Sequence, residues 1–116
     1  MLRTARVYDE LEPADGIRVL VDRLWPRGLH RDDPRVGRWC KQVAPSTELR
    51  GWYGHEPQRS AEFASRYRIE LSEPQRKPAL EELRELAARG PVTLVTATKH
   101  LEQSHLGVLK EVLEQR

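Results

Sequence analysis

Two short runs rich in β-branched residues constrain the fold of this chain more than any other feature. They occupy residues 17–24 and 92–98. Runs of this length and composition are typical of strands buried on at least one face. A long segment with helical spacing joins them, and a crossover through helices makes two such strands parallel. The sequence therefore predicts an α/β fold: a small open sheet with at least two parallel strands, packed by several helices.

A helix is predicted directly after the first run. Pro26 and Gly28 would end the strand, and Asp32 or Asp33 would then cap a helix with Pro34 at its first position. Its buried stripe at i, i+3, i+4 and i+7 would comprise Val36, Trp39, Cys40 and Val43. This stripe favours a core position for the Cys40 thiol over a reactive one.

The remaining periodicity predicts one more strand and four more helices. In chain order these are a strand at 3–8, a short helix capped by Ser46, and helices at 57–71, 72–90 and 101–113. The helix 72–90 would open with a capping box of Ser72 and Gln75 and end at Gly90. The 116 residues contain no repeat and no linker, so residues 1–116 are expected to form a single domain.

Composition and missing motifs exclude several function classes. No run approaches the roughly 18 apolar residues of a membrane span, and the first residues lack the apolar stretch of a signal peptide. The single cysteine excludes an intramolecular disulfide framework. No glycine-rich phosphate loop and no Cys/His spacing typical of zinc sites occur. We therefore expect a cytoplasmic protein without a membrane partner, a cofactor or a metal.

The net charge of the chain says little about its function, whereas the distribution of charges along the sequence is informative. The formal net charge is +2, but residues 23–41 contain six cations and two acids. Most of the 20 cations in the chain are arginines, and the planar guanidinium suits bidentate binding of phosphate or carboxylate. A solvated basic surface is the alternative interpretation of the same segment.

The candidate binding site lies in the loops that follow the two predicted strands. In open parallel sheets, ligands bind beyond the carboxyl ends of the strands. The loops 22–28 and 96–100 occupy that position, and Arg23, Arg27 and Lys99 would converge there on one anion. Trp25 would offer a stacking face. Alternatively, Trp25 fills the edge of the core while an arginine pairs with the preceding acid.

Other candidate residues follow from chemistry and local sequence. Lys41 would either reach the same cleft or project into solvent. Arg50 and His55 lie in a turn-rich segment, where polar side chains often bind ligands, although Arg50 has acidic neighbours with which it would otherwise pair. His55 and His105 are the candidates for general acid–base catalysis, since the ordinary pKa of histidine lies near neutrality.

Motifs along nearly the whole chain resemble the YeaO-like family, domain of unknown function 488. They are RVLVDRLWPRG (18–28), WCK (39–41), APSTELRGW (44–52), HEP (55–57), FASRY (63–67) and TLVTA (93–97). The resemblance implies a small bacterial or archaeal α/β protein without an assigned biochemical role. It also implies Asp and Asn where this chain has His100 and Ser104. If those residues serve chemistry in the family, this member has altered or lost it.

Three function classes stay open at this stage. The first is a site for a phosphate- or carboxylate-bearing small molecule, with or without catalysis. The second is a nucleic-acid-binding module built on the basic segment 23–41 with Trp25 and Trp39, and its binding would weaken linearly in log K against log salt. The third is a protein-interaction or dimerisation domain without chemistry. The oligomeric state is open in all three.

Overall fold

A computed structural model describes residues 2–115. Its helices and strands, in chain order, are β1 (Leu2–Arg6), β2 (Ile17–Leu20), β3 (Arg38–Trp39), α1 (Thr47–Tyr53), α2 (Ser60–Leu71), α3 (Lys77–Arg89), β4 (Val92–Thr96) and α4 (Leu106–Glu114). The four strands form one parallel sheet in the order β1–β4–β2–β3. The predicted α/β fold with a small open parallel sheet is thereby confirmed.

The strand β4, which lies within the predicted apolar run 92–98, occupies a central position in the sheet. All five residues of β4 are buried, and the strand pairs with β1 on one side and with β2 on the other. Leu94 lies opposite Thr4 and Val19 in this register. The predicted strand 17–24 is shorter in the structure, because β2 ends at Leu20 and the chain then turns along the carboxyl edge of the sheet.

The two faces of the sheet are covered by different parts of the chain. On one face, residues from all four helices join β-strand residues such as Val19 and Leu94 in the larger core. On the other face, Leu20 and Val95 pack with Val36 and with the partly buried Trp25 from the long connection between β2 and β3. Helices therefore cover one face and an irregular segment the other.

The predicted helix at 34–43 is wrong. Gly37 has φ +67°, and a Cβ there would lie 2.2 Å from the carbonyl oxygen of Arg18, so the chain passes the sheet edge at van der Waals contact. Asp33 accepts from the Arg35 amide and side chain instead of capping a helix. The following residues pair with β2 as the edge strand β3, which leaves Trp39 40% exposed.

The structure confirms some of the predicted helix ends and contradicts another. Ser46 caps α1 as predicted, its hydroxyl accepting from the Leu49 amide at 3.1 Å. The predicted capping box at Ser72 is wrong, because the Ser72 hydroxyl donates to the Ile69 carbonyl and ends α2. The helix α3 begins only after a turn at Pro74–Arg76 and ends before Gly90, as predicted.

The last predicted helix is shorter than its apolar spacing suggested. Leu101 belongs to a separate single turn, and α4 begins at Leu106 after His105. Within residues 2–115, no helix is long and apolar enough to cross a bilayer.

Candidate functional site

A cavity of about 620 Å³ opens at the carboxyl edge of the sheet. Its walls come from the ends of β1, β2 and β4, from α1 and its C-terminal turn, and from the turn before α4. Parallel sheets bind ligands in this place because connecting loops diverge there. The structure thus brings the loop after β2 and the loop after β4 together at one edge.

Asp22 joins those two loops. Its carboxylate accepts a hydrogen bond from the Thr96 hydroxyl at 2.7 Å and another from the Ala97 amide at 2.8 Å. The sequence alternative, in which an arginine pairs with Asp22, is not what the geometry shows. Asp22 instead diverts the chain out of β2 and fixes the floor of the cavity.

His105 is buried in the wall beside Asp22. Its Nε2 lies 2.9 Å from the Val21 carbonyl oxygen and 3.6 Å from the Asp22 carboxylate. A carbonyl oxygen only accepts, so Nε2 carries the proton and Nδ1 of the neutral ring is the acceptor. Burial lowers the pKa of His105 below 6.5, with Arg50 acting in the same direction and Asp22 and the Val21 carbonyl opposing it. The ring is therefore neutral at pH 7.

Arg23 lies in the cavity wall but is partly committed to the fold. Its Nε donates to the Pro45 carbonyl at 3.2 Å, and one terminal nitrogen donates to the Ala44 carbonyl at 3.3 Å. These bonds tie the loop after β2 to the segment that leads into α1. A guanidinium has five donors, so Arg23 both supports the wall and keeps donors for a ligand.

Arg27 and Arg50 are cavity residues whose side chains have no partner within residues 2–115. Both line the cavity and both are exposed. Within residues 2–115, neither side chain forms an ion pair or a hydrogen bond, so the alternative pairing of Arg50 with Glu48 or Glu56 is absent from this part of the chain. These two residues supply the available positive charge of the site.

Trp25 contributes an apolar wall that is held in place on two sides. Its indole N–H donates to the Leu29 carbonyl at 2.9 Å, and its ring meets Trp39 edge-on with 5.3 Å between centroids. Lys41 lies outside the cavity walls, with its ammonium 5.0 Å from the centre of the Trp39 ring. The structure therefore separates Lys41 from the other candidate binding residues.

Of the remaining candidates, His55 lines the cavity and Lys99 does not. His55 lines the cavity, is exposed, and has φ +57°, a left-handed conformation that is uncommon outside glycine. Lys99 is exposed and lies outside the walls, so of Arg23, Arg27 and Lys99 only the two arginines line the cavity.

Sequence reasoning missed several wall residues. Tyr53 closes the back of the cavity by donating its hydroxyl to the Gln103 carbonyl at 2.9 Å, and Tyr8 donates to the Arg27 carbonyl at 2.9 Å. Their roles depend on tertiary contacts and leave no local signal. Gly51 also lines the cavity, and a glycine inside a short helix was a signal available in the sequence.

Nucleophilic and metal chemistry find little support in the side chains. Cys40 lies away from the cavity at the edge of the helix-covered core, and burial raises the pKa of its thiol. Among residues 2–115, no group of three His, Cys, Asp or Glu side chains is placed to hold a metal ion.

Comparison with known proteins agrees with the motifs. Residues 1–116 match a family model described as the inactive DUF488-N3 subclade. The chain is 56% identical over 115 residues to the uncharacterized protein Rv3073c of Mycobacterium tuberculosis H37Rv, covering 99% of this chain and 95% of that protein. It is 38% identical over 112 residues to the uncharacterized protein YeaO of Escherichia coli K12, covering 97% and 96%. No solved structure shows significant similarity.

Proposed function

Since this chain belongs to the DUF488 family, in the group described as the inactive DUF488-N3 subclade, we propose that its cavity binds a small anion-bearing molecule without converting it. The anionic group is a phosphate or a carboxylate. The cavity volume of about 620 Å³ lies within the range of small-molecule sites, roughly 300–1,000 Å³.

The observation that carries this proposal is the balance of charge in the cavity wall. Three arginines, Arg23, Arg27 and Arg50, line it together with one carboxylate, Asp22. That carboxylate already accepts from a hydroxyl and an amide, whereas Arg27 and Arg50 have their donors available. A phosphate or carboxylate supplies the acceptors that such guanidinium groups lack, in a bidentate geometry.

The titratable groups of the site favour binding over turnover. The proton on Nε2 of His105 is held by the Val21 carbonyl. A general acid–base residue needs a free path for its proton to the ligand. His55 has such a path because it is exposed on the cavity wall, so any residual catalysis would depend on His55.

Calorimetry with phosphate, sulfate and citrate at low salt tests the proposal. We expect the wild-type protein to bind at least one of these anions. Arg50→Ala and Arg27→Ala should each weaken that binding by about 10- to 100-fold, since hydrogen bonds to charged groups contribute about 1.5–3 kcal/mol. The matched control is Arg89→Ala, an exposed arginine at the end of α3 outside the cavity.

Two results would contradict the proposal. One is the absence of binding by all three anions to the folded wild-type protein. The other is an equal loss of affinity in Arg89→Ala and Arg50→Ala, which would indicate nonspecific attraction to a basic surface. Arg23→Ala is a poor first choice, because it also removes the bonds to the Ala44 and Pro45 carbonyls.

A second candidate function, binding of single-stranded nucleic acid, has one supporting observation. Trp39 is 40% exposed, Lys41 lies over its ring, and Arg38 beside it is exposed. Exposed aromatic rings next to cations are typical of such surfaces. Arg23 and Arg35 belong to the same basic segment, but part of their donors are already used in hydrogen bonds within the protein. A short oligonucleotide whose binding falls linearly in log K against log salt, and is lost in Trp39→Ala, would favour this function.

A further inference from the structure

Gly51 has no steric or conformational reason to be glycine among residues 2–115. It lies inside α1, a helix of only seven residues. Glycine is the poorest helix former after proline, because it loses the most backbone freedom on folding. A glycine at such a position normally answers a steric or conformational need.

Neither need exists at Gly51 within the described chain. The glycines with left-handed φ in residues 2–115 are Gly16, Gly28, Gly37 and Gly54, so the backbone of Gly51 is one that alanine adopts freely. A Cβ built on Gly51 meets no atom within 4 Å, whereas one built on Gly37 would lie 2.2 Å from a backbone oxygen. The space beside Gly51 is open, and Gly51 lines the cavity.

Glycine also serves where a ligand must approach the backbone closely. Arg50 precedes Gly51 in α1, Trp25 lies two residues before Arg27, and all four residues line the cavity. The lining therefore combines two available cations with two surfaces suited to a flat group: the bare helix backbone at Gly51 and the indole of Trp25, which is held by Leu29 and Trp39. A ligand whose anionic group binds these arginines has both surfaces available to its organic part within the same cavity.

We propose that the ligand is an aromatic phosphate ester the size of a nucleoside monophosphate, with its ring lying against α1 at Gly51. This inference rests on the proposed anion-binding function and specifies it. Inorganic phosphate fills only a small part of a cavity of about 620 Å³, while a mononucleotide occupies the arginines and the flat surfaces together. Stacking on an aromatic side chain such as Trp25 is tolerant of base identity.

The experiment compares affinities for adenosine 5′-monophosphate, uridine 5′-monophosphate, ribose 5-phosphate and inorganic phosphate by calorimetry. The proteins are the wild type, Gly51→Ala and Gly107→Ala. Gly107 is the matched control, because it is an exposed helical glycine in α4 whose Cβ would also meet nothing, and it lies outside the cavity. Melting temperatures are recorded for each variant.

We expect the wild type to bind at least one nucleoside monophosphate about tenfold or more tightly than ribose 5-phosphate. Gly51→Ala should lose about tenfold or more of the nucleotide affinity, keep its affinity for inorganic phosphate, and melt a few degrees higher, since alanine is the better helix former. Gly107→Ala should melt no lower than the wild type and keep every affinity. A higher melting temperature together with a lower nucleotide affinity in Gly51→Ala distinguishes a glycine that contacts the ligand from a structural glycine.

The failures of the two proposals differ in outcome. Equal affinity for ribose 5-phosphate and the nucleotides, or unchanged nucleotide binding in Gly51→Ala, overturns the aromatic ligand and leaves anion binding standing. A lower melting temperature of Gly51→Ala shows that the glycine is structural and also overturns the inference. The absence of binding by every phosphate to the wild type overturns the anion-binding function itself.

Discussion

Arginines in two regions of the molecule have opposite surroundings. Arg18, in the middle of β2, is 3% exposed and donates to the Asp15 carboxylate at 3.1 Å and to the carbonyls of Glu10 and Arg35. Arg27 and Arg50, at the carboxyl edge of the same sheet, are exposed, and their side chains form no ion pair or hydrogen bond within residues 2–115. One guanidinium holds the fold together, and the other two are available to a ligand.

The difference shows that the number of arginines in a segment says little about ligand binding. What decides is whether backbone carbonyls and carboxylates have already taken the donors. Arg76 belongs with Arg18, since it is 8% exposed and bonded to Glu73 and to the Gln42 carbonyl. Arg23 stands between the two groups because only part of its fork is used.

The largest expected effect is on folding, in Arg18→Met. Burial raises the pKa of Asp15, but hydrogen bonds from the Glu12 amide and Arg18 and the charges of Arg18 and Arg3 hold it below 3.8. Asp15 is therefore a buried charge that depends on its partner. Removing one member of such a pair costs about 3–5 kcal/mol. The free energy of unfolding, measured with urea, should fall by about that amount.

Two controls sharpen this prediction. Arg27→Met should change the free energy of unfolding by no more than about 0.5 kcal/mol, as expected for a surface substitution without partners. The double variant Asp15→Asn, Arg18→Met should recover part of the loss, because it leaves no unpaired charge. Similar losses in Arg18→Met and Arg27→Met would show that the two arginines do not differ in structural role.

The sequence predicted the sheet well because the signal for each buried strand is local. The β-branched run 92–98 predicts a buried strand, and β4 (Val92–Thr96) is one. The failure at 34–43 has a tertiary cause: the contact between Gly37 and the Arg18 backbone and the pairing of β3 override the helical spacing. Helical periodicity in a short segment does not reveal such long-range contacts.

The sequence predicts the edge of the sheet at which the cavity lies, but not which side chains line the cavity. The rule for parallel sheets points to the edge beyond β2 and β4, and a cavity lined by Arg23, Arg27 and Arg50 lies at that edge. It did not separate Lys41 and Lys99 from the cavity walls, because the direction of a long side chain depends on its neighbours in space. Here Lys41 lies over Trp39, a residue predicted to be in a helix core.

The second prediction concerns pH and the buried His105 at the site itself. Its pKa is lowered in the folded protein, first by burial and then by Arg50, although Asp22 and the Val21 carbonyl oppose the shift. The unfolded chain therefore binds more protons near pH 6, so stability falls as the pH drops below about 6.5. Urea unfolding at pH 7.5, 6.5 and 5.5 should show this decline.

His105→Gln should flatten that decline, since its side-chain amide keeps a donor for the Val21 carbonyl without titrating. The matched control is His100→Gln, an exposed histidine whose nearest acid, Glu102, lies 3.8 Å away. Its pH dependence should remain that of the wild type. An unchanged profile in His105→Gln would show that the decline between pH 6.5 and 5.5 comes from other groups.

The smallest expected effect separates Lys41 from the cavity arginines. Its ammonium lies 5.0 Å from the Trp39 ring centre on an exposed surface, where a cation–π contact contributes about 0.5–1 kcal/mol. Lys41→Gln should lower the free energy of unfolding by at most that amount and leave phosphate affinity unchanged, because Lys41 lies outside the cavity walls.

Lys99→Gln is the control for this pair of measurements, since Lys99 is also exposed and outside the walls but has no aromatic ring beneath it within the described chain. It should change neither stability nor phosphate affinity. A loss of phosphate affinity in Lys41→Gln as large as that in Arg50→Ala would mean that the anion is held by the basic surface as a whole. Stability loss in Lys41→Gln with full phosphate affinity would instead assign Lys41 to the fold, beside Arg18, and leave binding to the arginines of the cavity.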